Sequence, residues 1–122
     1  LDVENPPGPL RIRGDSDRLA QVLSNLLGNA LGHTPPFGAV TLRCGRDRAM
    51  AFVDVVDTGP GIPDDELERI FEPFVTTKEH GIGLGLSICR TIIIAHGGRL
   101  WAENIGEGAM FRCTLPLSGH AE

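Results

Sequence analysis

The stretch LAQVLSNLLGNA, residues 19–30, carries two patterns at once. Leu19, Val22, Leu23, Leu26, Leu27 and Ala30 recur at i, i+3, i+4 and i+7, the spacing of one apolar face of an α-helix. Asn25 and Asn29 stand four apart, so they share a face of the same helix and line up two carboxamides beside the apolar stripe. A carboxamide oxygen is a neutral, hard ligand suited to Mg²⁺, which takes few protein groups and keeps several waters. The same pair equally suits a solvated face or hydrogen bonds to a neighbouring loop. Asp15 or Ser16 is placed to cap this helix, and Pro35-Pro36 stops it at about His33.

Outward from the helix, Leu1–Glu4 and Leu10–Arg13 read as two short strands about a Pro/Gly turn. On the other side, Ala39–Cys44 and Ala51–Asp57 read as a hairpin about Arg46-Asp47-Arg48. Pro63 followed by Asp64, Asp65 and Glu66 suits the start of a short helix ending near Phe71, because a proline ring fits a first turn and acids suit its positive end. Residues 72–81 have no periodicity and read as a mobile loop. A second long helix covers about Leu84–His96 and stops at Gly97-Gly98, and Arg99–Glu103 with Ala109–Leu115 forms a last hairpin. The order ββ-α-ββ-α-α-ββ lacks repeated βαβ units. It predicts an α+β fold, a two-layer sandwich whose mixed, mostly antiparallel sheet carries helices on one face, as a single domain over residues 1–122 with a short tail at 117–122.

A 122-residue chain that is 41% hydrophobic can bury one sizeable core. Its net charge of −5, with no Lys/Arg stripe, speaks against a nucleic-acid partner. Cys44, Cys89 and Cys113 are widely spaced without a C-x-x-C, so they are expected to be small buried hydrophobes in a reducing compartment. No charged-then-apolar leader opens the sequence, and its most apolar run, residues 92–95, is far short of the ~18 residues a membrane helix needs. The expectation is a cytoplasmic domain without membrane contact of its own, whose parent protein is free to be anchored elsewhere.

Four further segments bear on chemistry. Asp57-Thr58-Gly59-Pro60-Gly61-Ile62 follows an apolar strand; its glycines let the backbone turn sharply against a flat ligand, and a carboxylate there can accept from an exocyclic amine. A tight turn with a capping Asp explains the same residues. Gly81-Ile82-Gly83-Leu84-Gly85-Leu86-Ser87 opens the second long helix, where free N–H groups and the positive dipole end favour phosphate. It lacks the strand and the third glycine placement of a dinucleotide-binding fingerprint. Gly106 to Phe111 is by itself an ordinary hairpin turn. Phe71-Glu72-Pro73-Phe74 puts two phenylalanines in a polar segment, as a flap with an apolar underside or as residues tucked into the core.

Taken in order, these segments resemble the catalytic ATP-binding domain of sensor histidine kinases, in the superfamily shared with gyrase, heat-shock chaperone ATPases and mismatch-repair ATPases. Residues 25–30 resemble the asparagine box and 57–62 the first glycine box. Residues 71–74 resemble the phenylalanine box, 81–85 the second glycine box, and 106–111 the last. The resemblance covers about residues 1–116 and implies a Bergerat-type ATP site. Asn29 would coordinate Mg²⁺, with Asn25 supporting metal or phosphates. Asp57 would read the adenine amine in a pocket shaped by Gly59, Gly61 and Ile62. A lid over about residues 63–82 would close on the triphosphate, to which Gly83 and Gly85 offer N–H groups amid Gly81, Ile82, Leu84 and Leu86. Lys78 reads as a phosphate contact from the lid or as a solvated loop lysine. The wording from Phe71 to Lys78 is similar to that of nitrogen- and oxygen-sensing kinases. Two positions depart from the family pattern: Gly32 stands where Lys or Arg is frequent, and Ala109 where Thr or Ser is.

The resemblance also implies a mechanism and partners. The superfamily's ATPases carry a Glu at the position of Asn25, and an amide cannot take a proton from water, so transfer to a neutral imidazole is favoured over hydrolysis. The accepting histidine is expected on a separate dimerisation domain, with a response regulator receiver downstream. His33, His80, His96 and His120 all lack the context of an acceptor and read as structural or solvated. The alternatives are a conformational ATPase, an anti-sigma-type serine kinase, or a nucleotide-binding module without kinase activity.

Overall fold

A computed structural model describes residues 2–4, 10–72 and 85–118 of the chain, the first three by backbone alone. In chain order it runs β1 (Asp2–Glu4), α1 (Ser16–His33), β2 (Val40–Asp47), β3 (Met50–Asp57), two 3₁₀ turns (Asp64–Glu66 and Arg69–Phe71), α2 (Gly85–Ala95), β4 (Arg99–Ile105) and β5 (Gly108–Pro116). The strands form a single sheet in the order β1-β2-β3-β5-β4. Every pairing is antiparallel except β1 on β2, so the sheet is mixed and mostly antiparallel, as expected.

The helix ends follow from local chemistry. Asp15 caps α1, its Oδ1 accepting from the N–H groups of Asp17 at 3.0 Å and Arg18 at 3.2 Å. At the far end Thr34 turns extended before Pro35, and its hydroxyl donates to the carbonyl of Ala30 at 2.7 Å. Helix α2 ends in a Schellman motif: Gly97 takes φ +83°, its N–H reaches Ile94 O, and the Gly98 N–H reaches Ile93 O. His96, just before it, ties the two helices. Its Nε2 accepts from the Asp15 N–H at 3.0 Å while Nδ1 lies 2.8 Å from Ile92 O, a pattern that requires the neutral ring with its proton on Nδ1.

Both helices cover one face of the sheet. Val22, Leu26 and Ala30 of α1 and Cys89, Ile92 and Ile93 of α2 close a core against Val55, Leu100, Phe111 and Cys113. Side chains alternate along β3, so Asp57, two residues beyond Val55, emerges on the helix side. Asp54 lies on the opposite face yet is fully buried, held by Arg112 at 2.6 and 2.7 Å and by Arg43 at 3.1 Å from the two flanking strands. Arg112 also stacks on Phe52 at 4.4 Å, so aliphatic stems and a ring shield the ion cluster from water. Among the described residues no helix is long and apolar enough to cross a membrane.

Three expectations need correction. Leu10–Arg13 is not a strand paired with the first: β1 lies parallel to β2, and only Ile12 bridges, to Leu117. The segment before α1 is held instead by residues 117–118: Ser118 N–H bonds Arg11 O, and Leu117 N–H in turn bonds Ala49 O in the β2–β3 turn. Those same bonds, and the burial of Leu117, mean that residues 117–118 belong to the sheet end rather than to a tail. The short helix at 64–71 is two separate 3₁₀ turns, closed by bonds such as Glu66 N–H to Pro63 O at 2.8 Å. So short a segment, opening on three consecutive acids, has too few bonds to repay α-helix nucleation.

Candidate nucleotide site

The candidate residues lie on α1, in the loop after β3 and at the start of α2; α1 packs against α2, and Gly59 of the loop lies against His33 at the end of α1. Asn25 and Asn29 are both half-buried on α1. The Asn25 side chain hydrogen-bonds the Cys89 thiol in the second turn of α2, which also donates to Val22 O at 3.8 Å. Burial pushes the Cys89 thiol up, and the Asn25 bond pulls it partly back. The Asn29 carboxamide has no hydrogen-bond partner among the described residues, although its backbone carbonyl holds His33 Nδ1 at 2.8 Å. A free, half-buried, neutral oxygen donor fits a Mg²⁺ ion that is otherwise liganded by water and phosphate. No cluster of three or more His, Cys, Asp or Glu side chains that could hold a metal ion gathers among the described residues.

Asp57 closes β3 at 6% exposure. Its Oδ1 accepts from the N–H of Gly59 at 2.8 Å and of Ala109 at 3.4 Å. The Ala109 contact comes from the backbone, so the departure from Thr or Ser at that position leaves this anchor intact. Glycine is required around Asp57 by close approach: a Cβ on Gly59 would lie 2.6 Å from His33 O, and one on Gly108 would lie 1.9 Å from Asp57 O. The α1–β2 connection is clasped to the same loop, with Thr58 N–H on Ala39 O at 3.1 Å and Ala39 N–H on Thr58 Oγ1 at 2.9 Å. Gly61 adopts φ +77°, and Ile62 after it packs partly against the core.

An open cavity of about 800 Å³ lies beside this loop, lined by Pro35, residues 58–63, Asn104, Gly106 and Glu107. Gly59, Gly61 and Ile62 therefore share one wall. Asn25, Asn29, Asp57, Gly85 and Leu86 do not line it, so this cavity is not a whole nucleotide cleft. Gly85 is exposed at the first residue of α2, and Leu86 packs partly against the core. Phe71 is a core residue, edge-to-face with Phe111 at 6.0 Å and stacked under Arg90, which reaches Glu68 at 3.1 Å. That decides for the tucked reading of this phenylalanine. Lys78, Gly81, Ile82, Gly83 and Leu84, with Phe74 and the second half of the expected lid, lie outside the described residues.

Sequence reasoning missed Asn104. Its amide clamps Ile62, accepting from the N–H at 2.8 Å and donating to the carbonyl at 2.7 Å. Nothing in the local sequence ties two residues 42 apart.

A fold of this kind, with two helices on one face of a mixed sheet and a buried strand-end carboxylate on that side, defines a class, and comparison with known proteins identifies it. Residues 14–119 match the model of the histidine kinase-, DNA gyrase B- and HSP90-like ATPases, and the chain belongs to that family. Within the family it is similar to the catalytic domain of the histidine kinase ThkA, at 40% identity and a TM-score of 0.86 over 93% of this chain and 76% of that one. It is also similar to ThkA in complex with the response regulator protein TrrA, at 37% identity and a TM-score of 0.84, over 98% of this chain and 34% of that one. The adaptive-response sensory kinase SasA of Synechococcus elongatus is 41% identical over 122 aligned residues, which cover 94% of this chain and 32% of SasA. The chain thus spans about a third of that relative.

Proposed function

We propose that this chain is the ATP-binding catalytic domain of a sensor histidine kinase, which holds Mg-ATP between α1, the loop after β3 and the start of α2 and passes the γ-phosphoryl group to a histidine on a separate dimerisation domain. The observation that carries this reading is Asp57: a carboxylate 6% exposed at the end of β3, with its Oδ1 fixed by the N–H groups of Gly59 and Ala109 beside the glycine loop.

Each residue has a distinct task. Asp57 Oδ2 accepts from the adenine amine while Oδ1 stays fixed by two backbone N–H groups. Asn29 would hold the magnesium ion, whose positive charge would offset the negative charge of the triphosphate. Asn25, oriented by Cys89, faces the phosphates. As the family resemblance implies, Gly83 and Gly85 would offer N–H groups to the terminal phosphates, with Gly81, Ile82, Leu84, Leu86 and Lys78 around them. No carboxylate stands at position 25 to take a proton from water, whereas an imidazole nucleophile needs no strong base. The reading therefore favours phosphoryl transfer to histidine over hydrolysis.

By similarity to the ThkA complex, a response regulator receives the phosphoryl group afterwards. A cytoplasmic setting suits both the ATP supply and three free cysteines.

Titration calorimetry of this chain with Mg-ATP tests the reading. Binding is expected, and Asn29→Ala should lose about tenfold or more in affinity with Mg²⁺ present, the order of one charge-assisted contact, and much less in EDTA. Equal affinities in the two proteins, or rapid phosphate release without an acceptor domain, would rule the assignment out.

A further inference from the structure

Asn104 sits at the end of edge strand β4, and its side chain does what a neighbouring strand would do. Oδ1 takes the Ile62 N–H and Nδ2 gives to the Ile62 carbonyl, a two-point match to a single residue's backbone. Nδ2 also lies 3.3 Å from Asp64 Oδ1. Gly61 fits the same surface: a Cβ there would lie 3.0 Å from Asn104 Oδ1 and 3.2 Å from Glu107 O. The loop after β3 is thus fixed at its start by Asp57 Oδ1, through Gly59 and Ala109, and at its end by Asn104. Both anchors belong to or adjoin the β4–β5 hairpin.

We infer that Asn104 is a positioning residue for base recognition: by pairing with Ile62 it holds the loop from Gly59 to Ile62 in the one conformation that presents an adenine-shaped wall next to Asp57. The inference rests on the nucleotide-binding reading above. The alternative role, plain structural support, is weak on physical grounds. The Asn104–Ile62 pair is solvent-exposed, so water can replace both bonds at small loss of stability. The loop would instead sample other conformations, and apparent affinity falls by the fraction of time that it is competent. The effect should concentrate on the base. The triphosphate and its metal are met by α1 and α2, which Asn104 does not touch.

Asp is no substitute. It keeps the acceptor, but it loses the donor to Ile62 O and sets a second carboxylate against Asp64.

The test compares ATP with inorganic triphosphate, which shares the phosphates and the metal but carries no base. Native chain, Asn104→Ala and Asn104→Asp are each titrated with both ligands in Mg²⁺. Both variants should bind ATP about tenfold more weakly and bind triphosphate almost as the native chain does. Thermal midpoints should stay close to native. Unchanged ATP affinity, or an equal loss for both ligands, overturns the inference. Hydrogen exchange in the native chain gives an independent reading should the variants fail to fold: the Ile62 amide must be protected without nucleotide, and free exchange there overturns the clamp. A native chain that binds no ATP removes the underlying reading together with the inference, whereas native binding with unaltered variants removes the inference alone.

Discussion

At Asp57 the two carboxylate oxygens have different surroundings: Oδ1 holds the N–H groups of Gly59 and Ala109, and Oδ2 receives none among the described residues. That asymmetry makes a sharp substitution available. Asp57→Asn keeps an oxygen for the two N–H groups and turns an NH₂ toward the ligand, donor against donor. ATP affinity should fall by one to two orders of magnitude, about 1–3 kcal/mol for a polar contact left unmade. The thermal midpoint without nucleotide should move little, and calorimetry beside a melting curve checks both. Asp57 was legible in the sequence because an apolar strand running into Asp-x-Gly-x-Gly is a local signal. Asn25 and Asn29 were legible for the same reason, since helical spacing alone puts them on one face. Asn104 was not, because its partner is a backbone group 42 residues away and an Asn in a strand has no pattern that says what it will meet.

The elements meet most tightly where β5 begins against the end of β3. A Cβ on Gly108 would stand 1.9 Å from Asp57 O and 2.8 Å from its carbonyl carbon, atoms that cannot rotate away. Gly108→Ala should therefore cost about 2 kcal/mol or more and weaken nucleotide binding with it, since Asp57 must shift. Gly106→Ala, two residues earlier, meets nothing within 4 Å and carries only the strain of φ +58°, about 1 kcal/mol. Urea unfolding of the pair tests this ranking, and similar losses in both would contradict it. The two long helices were readable from apolar periodicity, and their ends from Asp15, Pro35 and Gly97. Leu10–Arg13 and residues 64–71 were misread because short segments take their form from what they dock on. The carbonyl of Arg11 and the single bridge of Ile12 are satisfied by residues 117–118.

Over the whole molecule, burial of the cysteines links folding to alkaline pH. The Cys113 thiol is pushed up to about 12, mainly by burial, and burial also raises Cys44 and Cys89. A thiol that resists ionisation in the folded chain and ionises near 9.0 when unfolded contributes stability that is complete below pH 9 and is lost as pH rises toward 12. The chain has no Tyr, and Lys78 is its one lysine, so few other side chains titrate in that window. Under reducing conditions, unfolding free energy should be level from pH 7 to 9 and then fall by roughly 1 kcal/mol per pH unit for each strongly shifted thiol. Denaturation curves that coincide at pH 8 and 10.5 would refute this.

Sequence alone determined the α+β class, the two helices with their caps, and the glycine and amide motifs of the family, because each is written in residues within a few positions of one another. Tertiary structure alone decided that β1 runs parallel to β2, that Asp54 is buried between two arginines, that Phe71 is core, and that Asn104 holds the loop beside Asp57. Those contacts join segments far apart in the chain. Their geometry exists only once helices and sheet have closed on a common core and fixed which distant groups come within bonding reach.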